Sequence, residues 1–107
     1  MTDIFSFKVE EIVSKIKDAQ LTSVEVCQKY IERIEKFEKD VKAWVHFDKK
    51  LLLEKAEEAD QYRRSGKPTG PLHGIPIALK DIIGTVDMPT ECGTPIRKGK
   101  SYSQNAE

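Results

Sequence analysis

The run Gly70-Pro71-Leu72-His73-Gly74-Ile75-Pro76-Ile77-Ala78-Leu79-Lys80 decides how this chain is read. Ile75 to Leu79 carry no charge, sit between Gly and Pro punctuation and more polar text, and close on a lysine. An apolar run of that length predicts a buried strand, with Ile75, Ile77 and Leu79 on one face and Pro76, Ala78 and Lys80 on the other. Lys80 is then delivered to the end of that strand. Lysine is among the residues least often enclosed in a protein, so this placement needs a chemical or a structural reason.

Upstream of the run the text is helical, over about residues 6–65. From Phe7 to Gln20, the positions Val9, Ile12, Val13 and Ile16 follow the i, i+3, i+4, i+7 pattern of an amphipathic helix, with Glu11 and Lys15 spaced as a favourable pair. Thr22 followed three residues later by Glu25 is a capping box, which predicts a second helix to about Phe37. Its apolar stripe is Cys27, Tyr30, Ile31, Ile34 and Phe37, and Glu32 with Lys36 and Glu35 with Lys39 form its solvated face. Val41 to Phe47 alternates apolar and polar residues and predicts a short half-buried strand with His46 at its rim. Asp48 then caps a third helix through Arg64, with a thin stripe of Leu52, Ala56, Ala59 and Tyr62 and a stop at Gly66.

Downstream, Asp81 to Pro89 and Thr90 to Ile96 are rich in turn residues and poor in periodicity. Irregular segments beside a buried strand are common active-site material, so residues of about 70–100 form a strand and active-site loop region. Arg97, Lys98 and Lys100 around Gly99 read as a solvated basic loop. Gly66-Lys67 lacks the earlier Gly, the following Ser or Thr and the preceding strand of a phosphate loop, and that reading is rejected.

The 107 residues suffice for one modest core, and 18 basic against 18 acidic residues select neither nucleic acid nor an anionic membrane as partner. No run approaches a membrane span and Met1 to Phe5 lacks a signal-peptide pattern, so a cytoplasmic setting is expected. Cys27 and Cys92 are too few for a disulfide framework, and with His46 and His73 they form no ligand spacing, so no metal is expected. Cys27 reads as a small core residue and Cys92 as a loop thiol.

A free lysine titrates near ~10.4, so only about one in a few thousand is unprotonated at neutral pH, and making it a base costs about 4 kcal/mol. Desolvation in a closed apolar surround can supply that. A lysine at a strand end can equally snorkel to water and pair with an acid. Composition and spacing leave both readings open.

The residues Pro71 to Asp81, followed by Met88-Pro89-Thr90-Glu91-Cys92-Gly93-Thr94-Pro95, closely resemble the N-terminal part of the amidase signature family. Leu21 to Glu25, Ile31 to Ile34, Ala43 to Val45 and Ala56 to Asp60 resemble that family's opening helices in the same order. The resemblance implies an α/β fold in which N-terminal amphipathic helices lead into the first strands of a mixed sheet. Residues 1–107 would be the first part of one such domain, with the remainder absent. It also implies hydrolysis of a carboxamide C–N bond to a carboxylate and ammonia or an amine by a Ser–cisSer–Lys triad, without a cofactor.

On that analogy Lys80 is the triad lysine, and Thr90, Cys92, Gly93 and Thr94 are candidates to line the substrate cleft. The family's Gly- and Ser-rich segment carrying both serines has no counterpart here, since Ser101 and Ser103 lack flanking glycines. Thr94 stands where many members have Ser. The isolated chain is therefore expected to be inactive, and a homo-oligomer, or partner subunits if this is the glutamine-hydrolysing subunit of a tRNA-dependent amidotransferase, is the expected assembly. The contrasting expectation is a non-catalytic helical binding or assembly module complete at 107 residues.

Overall fold

The computed structural model describes residues 3–107. The chain divides into two compact units, one running through Lys42 and again over Asp48–Pro76, the other made of Ala43–Phe47 and Ile77–Glu107.

The first unit is helical. A 3₁₀ turn at Ile4–Ser6 leads into α1 (Val9–Lys17), α2 (Ser23–Val41) and α3 (Lys49–Arg64). Local chemistry sets these starts. Thr22 Oγ1 accepts the Glu25 N–H at 3.0 Å while the Glu25 carboxylate accepts the Thr22 N–H at 2.8 Å, so the expected capping box is formed. Asp48 Oδ1 accepts the Leu51 N–H at 3.0 Å, which caps α3 as its sequence predicts. α1 is shorter than expected because the chain leaves the helix after Lys17 and passes through Ala19 at φ 60°. α2 is longer, continuing past Phe37 to Val41 and ending at Lys42 in the left-handed region.

Ile4, Ile12, Ile16 and Val26 form the core cluster, with Phe7, Leu21, Tyr30 and Ile75 packed against it. Cys27, Ile31 and Ala56 are also buried, as the stripes of α2 and α3 require. Phe37 and Tyr62 lie at the ends of their stripes and are exposed, whereas Val26, outside the expected stripe, is fully buried. The charged faces choose partners by position rather than by i,i+4 spacing. Glu32 pairs with Lys29 at 3.4 Å, Glu35 with Lys49 of α3 at 2.7 Å, and Glu11 caps the Lys8 N–H.

The expected α/β architecture is not what forms: among the described residues there is no β-strand. Val41 closes α2, and neither Ala43 to Phe47 nor Ile75 to Lys80 forms regular secondary structure. The reason is physical. A strand is stabilised by a ladder of main-chain bonds to a neighbour, and no such ladder forms among the described residues. Of the three residues assigned to one face, Ile75 packs against the helical core, whereas Ile77 and Leu79 are 66% and 44% exposed.

The second unit is made of turns and one further 3₁₀ turn, Pro95–Arg97. Among the described residues no helix is long and apolar enough to cross a membrane.

Candidate functional site

The lead-in to the decisive run is fastened within the helical unit. Asp60 of α3, 1% exposed, accepts the N–H groups of Ser23 and Val24 at 2.7 and 3.1 Å, so its carboxylate satisfies two orphan donors at the start of α2. Ser23 Oγ donates to the Gly74 carbonyl at 2.7 Å, and His73 Nε2 lies 2.8 Å from the Ala59 carbonyl oxygen, to which it donates. Gly74 has φ 81°, and a Cβ there would stand 3.1 Å from Ile16 Cδ1 and 3.3 Å from Ser23 Cβ. Only glycine meets both demands. Next to this strap, burial pushes the Cys27 thiol up from its ordinary range; a hydrogen bond with Ser23 opposes the shift and the Asp60 charge adds to it.

Lys80 belongs to the loop unit and is exposed. Its carbonyl accepts the N–H groups of Ile82 and Ile83 at 2.7 and 3.0 Å, so the chain turns sharply just after it. The next residue ties that turn to a distant segment. Asp81 Oδ1 accepts the Glu91 N–H at 2.8 Å and the Asp81 carbonyl accepts the Cys92 N–H at 2.9 Å. The two halves of the sequence motif, 71–81 and 88–95, thus meet at Asp81.

The cleft candidates follow from there. Thr90 is 1% exposed; its N–H donates to the Lys100 carbonyl at 2.7 Å, its hydroxyl to the Ile83 carbonyl at 3.3 Å, and its carbonyl accepts Arg97 Nε–H at 3.1 Å. Cys92 and Gly93 are exposed and both have positive φ, 54° and 70°. Thr94 is half-buried, with its hydroxyl accepting the Ile96 N–H at 3.4 Å and its own N–H donating to the Glu91 carbonyl at 3.0 Å. The Glu91 carboxylate accepts the Gly99 N–H at 2.8 Å. Lys80 is joined to this group through the backbone of Asp81. As for metals, no group of three His, Cys, Asp or Glu able to hold an ion exists among the described residues.

Several organising residues lay inside the matched segments, but nothing in the sequence assigned them a role. Asp60 closes the helix segment Ala56 to Asp60, and Asp81 and Glu91 stand in the turn-rich segments that follow. Arg97, assigned to a solvated basic loop, is half-buried, binds the Thr90 carbonyl and lies over the Tyr102 ring at 4.9 Å. Tyr102 also rests on Gly84, where a Cβ would come within 2.7 Å of the ring.

Within the loop unit, Asp81 thus joins the lysine-bearing turn to the Glu91-Cys92 segment. The amidase family model matches residues 25–107, and the chain belongs to that family. It is 39% identical over 99 residues to the A subunit of a glutamyl-tRNA(Gln) amidotransferase from Streptomyces coelicolor, a match covering 92% of this chain and 20% of the relative. Similar proteins of the same description occur in Salinispora tropica, 36% identical over 90% of this chain and 20% of the relative, and in Lachnospira eligens, 38% identical over 87% and 19%. The chain therefore spans about a fifth of the length of the curated relatives it matches.

Proposed function

We propose that this chain is the N-terminal part of one amidase domain and that Lys80 is the proton acceptor of its Ser–cisSer–Lys triad, with both serines supplied by chain outside these 107 residues. The serine nucleophile attacks the carboxamide carbon while its proton passes through the bridging serine to Lys80. The proton then goes to the departing nitrogen, and water releases the carboxylate. Thr90, Cys92, Gly93 and Thr94 belong to the cleft wall in this reading, with the buried Thr90 supporting the exposed Cys92-Gly93 turn. The observation that carries the reading is the junction at Asp81, which holds the lysine-bearing turn against the Glu91-Cys92 segment.

The finer reading, a glutamine-hydrolysing subunit that works with partner subunits, is favoured by the relatives named above. Ammonia release by the full-length protein, measured on simple aliphatic and aromatic amides and on glutamine, tests both. Lys80→Ala is expected to abolish turnover while leaving the melting temperature unchanged; near-normal turnover in that variant removes Lys80 from the mechanism. Glutamine turnover well above that of the simple amides selects the glutamine-hydrolysing reading, and the reverse order selects a general amidase. The 107-residue chain alone is expected to release no ammonia.

A further inference from the structure

We infer that Asp81 is a positioning residue of the hydrolytic site, acting through the lysine beside it; this rests on the amidase reading above. Three observations in the loop unit lead there. The Asp81 side chain and main chain each take one N–H from consecutive residues, Glu91 and Cys92, so a single residue fixes the direction of a segment ten positions away. The Lys80 carbonyl is bound by Ile82 and Ile83, which leaves the Lys80-Asp81 peptide between two sets of main-chain restraints. Finally, Asp81 Oδ2 is buried with no hydrogen-bond partner among the described residues.

The third observation shows that the carboxylate carries one more acceptor than the staple to Glu91 uses. Stapling Glu91 needs one acceptor oxygen, and a second buried oxygen without a donor is a cost that a scaffold residue would avoid. The clamp makes the lysine's main chain and the Cys92-Gly93 turn one rigid piece. Lysine chemistry needs that rigidity, because a base displaced by about 1 Å can lose on the order of 100-fold in rate. Asparagine at this position keeps an acceptor for the Glu91 N–H, whereas alanine keeps only the main-chain bond to Cys92.

The test uses the full-length protein with four forms: wild type, Asp81→Ala, Asp81→Asn and Lys80→Ala. Ammonia release is read as kcat and KM, and amide hydrogen exchange is read at Glu91 and Cys92. Asp81→Ala is expected to lower kcat by about 100-fold with KM within about twofold, and to raise exchange at Glu91. Asp81→Asn is expected to recover most of kcat and the Glu91 protection. The proposal is overturned if Lys80→Ala is inactive while Asp81→Ala keeps wild-type kcat, or if the loss of kcat in Asp81→Ala only mirrors a fall in the folded fraction seen by thermal melting. Wild-type turnover in Lys80→Ala overturns the underlying assignment of Lys80 as the triad base instead, so the two failures are distinguishable.

Discussion

The helical unit and the loop unit use similar apolar text in opposite ways. In the helical unit Ile12, Ile16, Val26, Cys27, Ile31 and Ala56 are buried, and polar burial is confined to Ser23 and Asp60, which bond to each other. In the loop unit the one buried residue among those described is a polar one, Thr90, while Ile77, Leu79, Ile82, Val86 and Ile96 stand 44–82% exposed. The first unit is held by apolar burial, worth about 1.5–3 kcal/mol for each fully enclosed large side chain. The second is held by hydrogen bonds from loop to loop, each contributing about 1 kcal/mol. Apolar residues become a core only where a second element lies against them.

Truncation within each unit offers the sharpest way to break that comparison. Ile16→Ala is expected to cost about 2–5 kcal/mol in urea unfolding followed by far-UV ellipticity, since it empties the middle of the helical core. The matching change in the loop unit, Ile96→Ala, is expected to stay within about 0.5 kcal/mol, because that side chain is 82% exposed. A similar loss for both would show that Ile96 is enclosed rather than exposed.

Next in size is the buried strap. Asp60→Ala removes the acceptor of two N–H groups at the start of α2, and a loss of about 2–4 kcal/mol is expected in the same measurement. Thr22→Ala removes half of the exposed capping box at the same helix end and is expected to cost about 1 kcal/mol. If Thr22→Ala proved the more damaging, the helix start would be secured locally and the strap would be secondary.

The smallest effect concerns pH. The folded state holds the Cys27 thiol protonated beyond its ordinary range, chiefly through burial. The contribution is therefore complete below the unfolded thiol's pKa and is lost as pH rises through the folded value. Stability of the wild type is expected to decline more steeply above about pH 9 than that of Cys27→Val, compared by urea midpoints across the alkaline range. Equal slopes would mean that the thiol is solvated.

How much could be read in advance depended on how far apart the interacting residues lie. The three helices, the Thr22–Glu25 box, the Asp48 cap and the stop at Gly66 were all legible, because each is an interaction across three or four residues. The lysine and its motif were legible as a resemblance. The strands were misread because alternation and apolar runs state a preference for extended backbone, and a strand also needs a neighbour to bond with.

What the amino-acid sequence determined by itself was thus the set of helices, their capping, and the place of Lys80 at the close of an apolar run. Tertiary structure alone decided that Asp60 fastens α2 from 37 residues away, that Ser23 holds Gly74 across 51 residues, and that Asp81 joins the two motif halves across ten. Helix signals are local because their hydrogen bonds are local. The bonds that build the site close long loops, and a carboxylate gives no sign in the sequence of which distant N–H it will meet.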